Sequence, residues 1–203
     1  SSEVWSKLVG RFNAYNILAV YSTASILGVP EDELLMSISN LQAVDGRFQF
    51  YKKSKITAIV DYAHTPDALE NILNSINEIK SIDNNLITVV GCGGNRDKSK
   101  RPLMGDIATS LSSKVIFTSD NPRNEDPELI IEEMTRGVKP FHSNKSISIT
   151  NRKEAIKAAC QFAKSNDIIL IAGKGHETYQ EIKGVKSDFD DFDIVKNLLN
   201  QKN

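Results

Sequence analysis

The stretch Val115-Ile116-Phe117-Thr118-Ser119-Asp120-Asn121-Pro122-Arg123-Asn124-Glu125-Asp126-Pro127-Glu128-Leu129-Ile130-Ile131-Glu132-Glu133-Met134 changes character twice. It opens on a short apolar run, Val115 to Thr118, that reads as a buried strand, and it closes on Glu128 to Met134, which reads as a helix. Ser119 to Pro127 is therefore a strand-to-helix loop. In an open α/β sheet such loops stand at the carboxyl ends of the strands, where ligands bind. Pro122 fixes its own φ and biases Asn121 towards an extended conformation, which holds the neighbouring side chains in defined directions. A planar guanidinium held this way, that of Arg123, can grip a carboxylate with two parallel hydrogen bonds. Taken alone, the loop reads equally well as a polar turn that caps the helix.

On either side the same alternation continues. Strands are expected at Arg47–Tyr51, Ile56–Asp61, Leu86–Val90, Val115–Thr118, Ser146–Thr150 and Ile168–Ala172, and helices at Pro66–Lys80, Pro102–Leu111, Pro127–Gly137, Lys153–Lys164 and Asp191–Asn200. Strand-helix repetition of this kind predicts an α/β fold: a mainly parallel, doubly wound, Rossmann-like sheet covered on both faces. Before Gly46 there are only two helical segments, Phe12–Leu27, ending at Gly28, and Glu31–Leu41, following Pro30. Residues 1–44 are accordingly expected to be the helical tail of a preceding domain, and 45–203 the α/β domain. The chain opens on Ser1-Ser2, which suggests a piece of something longer.

Composition narrows the function. The 25 basic and 26 acidic residues leave a net charge of −1, so no global field favours nucleic acid or an anionic membrane. Two cysteines, Cys92 and Cys160, argue against a disulfide framework and for a reducing, cytoplasmic setting. No apolar run approaches the roughly 18 residues of a membrane span.

Three further loops follow expected strands. In Asp61-Tyr62-Ala63-His64-Thr65-Pro66, Thr65 is placed to cap a helix and Pro66 suits its first position. Asp61 can accept hydrogen bonds from a ribose, and His64 is either a general acid or base or a hydrogen-bonding residue of the loop. Arg47 is either a solvated strand residue or a nucleotide contact. Gly91-Cys92-Gly93-Gly94-Asn95-Arg96-Asp97-Lys98 gathers positive charge before a helix, which suits an anion. Neither the Gly-x-x-x-x-Gly-Lys-Ser/Thr phosphate loop nor a Gly-x-Gly-x-x-Gly dinucleotide fingerprint after a first strand is present. In Gly173-Lys174-Gly175-His176-Glu177, Gly173 can expose backbone groups to a ligand and Glu177 can pair with an ammonium, or the segment is a glycine turn with solvated charges. Asn13 and Asn16, near the start of the first helix, are caps by default, or they reach a ligand.

This set, taken in order with Gly46-Arg47 and Asp120-Asn121-Pro122-Arg123, resembles the Mur ligases over essentially the whole chain, and more narrowly their diaminopimelate-adding branch. The resemblance implies the last helices of a central ATPase domain followed by a complete C-terminal amino-acid-binding domain. It implies ATP-dependent amide formation in peptidoglycan synthesis: meso-2,6-diaminopimelate is joined to a UDP-N-acetylmuramoyl dipeptide through an acyl phosphate. Diaminopimelate contacts are then expected from Arg96, Asp120, Asn121, Pro122, Arg123, Gly173 and Glu177. Nucleotide contacts are expected from Arg47, Asp61, His64, Asn13 and Asn16. No catalytic residue and no metal ligand is expected here, because ATP and Mg2+ belong mainly to the central domain. A monomer without nucleic-acid or membrane partners is expected. By the same resemblance Arg123 reads the distal carboxylate that distinguishes diaminopimelate from lysine. The readings held beside this one are a non-catalytic amino-acid-binding module, inactive in isolation, and a related ligase adding L-lysine or glutamate, such as a folylpolyglutamate synthase.

Overall fold

The computed structural model describes residues 6, 8, 10–41 and 44–202. Two compact units divide at Val44. In the first, α1 (Arg11–Ile26) and α2 (Glu31–Ser39) pack together, with Leu34 and Ile38 of α2 buried. Gly10 occupies the N-cap of α1 and no side chain caps it. Asn13 and Asn16 therefore lie within the helix, and the expectation that they act as caps is corrected.

The second unit is built on a six-stranded sheet. In chain order it comprises β1 (Gln49–Lys53), β2 (Ile56–Asp61), α3 (Pro66–Ile79), β3 (Leu86–Val90), α4 (Lys100–Leu111), β4 (Lys114–Phe117) and α5 (Pro127–Thr135). A 3-10 turn at Pro140–Lys145, β5 (Ser146–Ser148), α6 (Arg152–Phe162), β6 (Ile168–Ala172), the β7 (Tyr179–Ile182)/β8 (Val185–Asp188) hairpin and α7 (Asp191–Gln201) follow. The spatial order is β1-β2-β6-β3-β4-β5, with every pair parallel except β1 with β2.

Burial explains the layering. β3 and β6 are buried along their whole length, as strands covered on both faces must be. On one face Val60, Val89, Ile116 and Ile171 pack against Ala155, Ile156 and Ala159 of α6 and Val195 and Leu199 of α7. The helices α3, α4 and α5 pack side by side and bury Leu69, Leu73, Met104, Ile131 and Met134. The chain steps outward through β3, β4 and β5, then returns through α6 to insert β6 between β2 and β3. That reversal is the topological switch at which doubly wound sheets open a crevice.

Thr65 caps α3 by accepting from Ala68 N at 3.3 Å, with Pro66 in the first turn. The start of α4 lies two residues before the expected Pro102, which leaves the proline in the first turn, where its missing N–H costs nothing. Arg47 precedes β1 rather than lying in it, because Phe48 adopts a left-handed φ of 47°.

Candidate functional site

The loops after β2, β3, β4 and β6 meet over one cleft of about 710 Å³, lined among others by His64, Arg96, Asp120, Asn121, Arg123, Gly173 and Glu177. Six of the seven residues expected to bind the amino acid thus share one cavity, and Pro122 adjoins it between two of them. The helix cap of α5 is Asp126, whose side chain accepts from Glu128 N at 2.9 Å. Capping therefore does not account for Asp120 or Asn121.

Asn121 is the hub of the inner end. Its Nδ2 donates to Glu177 Oε2 at 2.7 Å, while its Oδ1 accepts from Lys174 Nζ at 3.0 Å and from Glu181 N at 2.9 Å. Asp120 is 6% exposed. Burial pushes its carboxyl above the usual range, against the pull of the Arg152 and Lys174 charges. Gly173 has φ +118°, and a Cβ there would stand 2.5 Å from Asp120 Oδ2; a side chain at this position would displace the carboxylate.

Arg123 holds the outer end. Its own φ of 51° is left-handed, a conformation that a non-glycine residue keeps only when its surroundings impose it. Its backbone is fastened to the hairpin: Arg123 N donates to Glu181 O at 3.0 Å, Lys183 N donates to Arg123 O at 2.6 Å, and Arg123 bridges to Ile182. Its Nη1 donates to Gly94 O at 2.9 Å. Arg96 is exposed on the β3 side of the cleft, with Nη1 donating to Asn95 O at 3.3 Å.

The residues expected on the nucleotide side are less gathered. The Arg47 guanidinium stands 4.9 Å from the Tyr62 ring centroid, and His64 contacts the same ring edge-on at 4.6 Å. Asp61 is buried, and its two oxygens accept from Phe48 N and Ala63 N, each at 2.8 Å. Burial also raises its pKa, opposed by those two hydrogen bonds. It stands beneath the β2 loop and does not line the cleft. Asn13 and Asn16 belong to the other compact unit.

Four side chains were not singled out by the sequence. Lys174, wholly buried, contacts Asn121 and Glu177. Tyr62 and Tyr179 line the cleft. Arg152, also wholly buried, pairs with Asp191 at 2.7 Å and donates to Ser119 O and Ala172 O, the main chain just before Asp120 and Gly173. Lys174 and Tyr62 stood inside the quoted motifs; Arg152, at a helix start, gave no local signal.

The cleft thus brings together the carboxylates of Asp120 and Glu177, the guanidiniums of Arg96 and Arg123 and the amide of Asn121. Carboxylates and guanidiniums gathered this way can hold a ligand that carries both ammonium and carboxylate groups.

A relative from Cytophaga hutchinsonii named UDP-N-acetylmuramoyl-L-alanyl-D-glutamate--2,6-diaminopimelate ligase is 58% identical over 97% of this chain and 40% of its own. One of the same name from Bacillus velezensis is 45% identical over 100% of this chain and 41% of its own. A solved structure of a ligase of that name superposes with TM-score 0.75 at 43% identity, covering 97% of this chain and 40% of the other. A UDP-N-acetylmuramate-alanine ligase from Thermotoga maritima, with TM-score 0.67 at 18% identity over 99% of this chain and 40% of its own, shares the fold. The chain spans about 40% of the length of the curated relatives it matches. The family model described as "Mur ligase, glutamate ligase domain" matches residues 46–175, and the chain therefore belongs to the Mur ligases.

Proposed function

We propose that this chain is the amino-acid-binding part of an ATP-dependent ligase that adds meso-2,6-diaminopimelate to UDP-N-acetylmuramoyl-L-alanyl-D-glutamate. The observation that carries the reading is that one cleft is lined by two carboxylates, Asp120 and Glu177, and two guanidiniums, Arg96 and Arg123. The names of the relatives support it. In the reaction the terminal carboxylate of the dipeptide attacks the γ-phosphorus of ATP, ADP leaves, and an acyl phosphate forms. The amine of diaminopimelate, having lost its proton, then attacks the acyl carbon, and inorganic phosphate departs from the tetrahedral intermediate. This chain contributes orientation, which is worth much in a two-substrate reaction.

Asp120 and Glu177 hold an ammonium, Asn121 and Gly173 meet the amino-acid backbone, and Arg123 with Arg96 holds carboxylate. Pro122 keeps Asn121 and Arg123 in register. Arg47, His64 and Asp61 form the nucleotide-facing edge around Tyr62. Residues 1–44 are assigned to the end of the ATPase domain and 45–203 to the C-terminal domain of a cytoplasmic, monomeric enzyme. Among the described residues no group of three or more His, Cys, Asp or Glu is placed to hold a metal ion. Mg2+ is assigned, with most of the ATP contacts, to the central ATPase domain.

The test is turnover of the full-length enzyme with ATP and the UDP-linked dipeptide, offering meso-diaminopimelate or L-lysine. Phosphate release dependent on diaminopimelate, with lysine a poor substitute, is expected. Equal use of lysine would overturn the assignment of Arg123.

A further inference from the structure

Lys174 is a lysine with no exposed side-chain surface, in a protein where burying an ammonium is costly unless it is paired and hydrogen-bonded. Its Nζ donates to Asn121 Oδ1 at 3.0 Å and to Glu177 Oε2 at 3.3 Å, lies 3.8 Å from Asp120 Oδ1, and faces the Tyr179 ring with the centroid 5.5 Å away. Every one of these partners lines the cleft. We propose that Lys174 is a positioning residue that sets the polarity of the amino-acid site, fixing which way the Asn121 amide and the Glu177 carboxylate present themselves to the incoming substrate. The inference rests on the reading of the cleft as an amino-acid site.

The argument is one of hydrogen-bond accounting. An Asn amide has two donor hydrogens and one acceptor oxygen, and either orientation fits the same outline. Here Asn121 Oδ1 is claimed twice, by Lys174 and by Glu181 N, so the amide cannot turn over without facing two donors with its own. Nδ2 is thereby directed at Glu177 Oε2, and its second hydrogen is left for a substrate carboxylate. Glu177 Oε2 is likewise claimed twice, by Asn121 and Lys174, which leaves Oε1 for a substrate ammonium. Charge points the same way. Lys174 Nζ stands within 3.8 Å of both the Asp120 and Glu177 carboxylates, while the nearby Arg152 and Asp191 pair with each other, so one buried ammonium is shared by two carboxylates and the site keeps room for a second, from the substrate. Without Lys174 two neighbouring carboxylates would repel, one would take up a proton, and Asn121 would lose the donor that fixes its orientation.

The test uses the full-length ligase and a double-mutant cycle of Lys174→Met and Glu177→Gln, with Michaelis constants measured for diaminopimelate and for ATP. Turnover of diaminopimelate by the wild type comes first; its absence would overturn the reading of the cleft itself, whatever Lys174 does. Given turnover, Lys174→Met is expected to raise the Michaelis constant for diaminopimelate about tenfold or more, the effect of losing hydrogen bonds from a charged group, with that for ATP little changed. Because Lys174 acts through Glu177, the double variant is expected to fall well short of the product of the single effects. Lys174→Gln, which retains an uncharged donor, gives an intermediate rise and serves if the methionine variant does not fold. A lower melting temperature with an unchanged constant for diaminopimelate, a parallel rise for both substrates, or fully multiplicative effects would each overturn the proposal.

Discussion

Arg123 Nη1 donates to the carbonyl oxygen of Gly94 at 2.9 Å, and Gly94 N donates in return to Asn121 O, also at 2.9 Å. Two loops from neighbouring parallel strands, β3 and β4, are thus closed on each other by a reciprocal pair. The pair leaves Arg123 Nη2 with no hydrogen bond among the described residues. Arg123 Nε in turn lies 3.8 Å from Glu181 Oε2 of the hairpin, so the Nη2 side of the fork is what remains for a ligand carboxylate.

Removing that fork should separate the two substrates kinetically. In the full-length enzyme Arg123→Ala is expected to raise the Michaelis constant for diaminopimelate by about 30-fold or more, the cost of stripping one partner from a desolvated charge pair. The constant for ATP should barely move, and the preference over lysine should shrink. Equal rises for both substrates would contradict the assignment.

Glu177→Gln replaces a carboxylate that accepts from Asn121 and Lys174 and whose side chain is 19% exposed. The amide oxygen can still accept both bonds, so the melting temperature is expected to stay within a few degrees. Affinity for diaminopimelate should fall about tenfold through loss of the charge that meets its ammonium. A large drop in thermal stability at unchanged affinity would make Glu177 structural.

These sites were legible to different degrees, for physical reasons. β2, β3 and β6 begin and end where the sequence places them, because each is a mostly apolar, buried run bounded by polar or glycine-rich turns. The hairpin of β7 and β8 escaped notice: Val185 to Asp188 are all exposed, so no core face imposes a pattern. Its one clear signal is the two-residue turn Lys183-Gly184, with φ values of 50° and 77°. That omission hid the support of Arg123, whose backbone leans on Glu181 and Lys183. Lys174 was hidden by its chain distance from Asn121, since a lysine between two glycines reads as solvated until the partner 53 residues away is in view.

Acid should weaken the fold through Glu125. Hydrogen bonds from the buried Arg101 guanidinium hold its carboxyl well below its ordinary value of 4.5, at about 2. A depressed folded-state pKa means that the unfolded chain takes up the proton first, so this contribution is complete above pH 4.5 and is lost as pH falls towards 2. Melting temperatures followed from about pH 6 down to about pH 2.5 should decline, and Glu125→Gln should lower the neutral value and flatten this part of the decline. An unchanged slope in the variant would show that Glu125 is not the group responsible.

The closure of the two loops also predicts a difference between two glycines. A Cβ at Gly94 would lie 1.9 Å from Pro122 O and 2.7 Å from Pro122 C, and main chain in a doubly hydrogen-bonded loop cannot move aside as the end of a side chain can. Gly94→Ala should therefore cost about 1–3 kcal/mol of stability, as overpacking does. In forcing the loops apart it should also displace Asn121 and Arg123 together, raising the Michaelis constant for diaminopimelate but not that for ATP. Gly184, in the turn of the hairpin, has φ +77° and nothing within 4 Å of a Cβ. Gly184→Ala incurs only the left-handed strain of about 1–2 kcal/mol, with no change in either constant. Melting temperatures and kinetics on the two variants separate the effects: loss of stability in both, loss of amino-acid affinity in Gly94→Ala alone. Unaltered affinity in a folded Gly94→Ala enzyme would show that the amino-acid site does not depend on the closure of these loops.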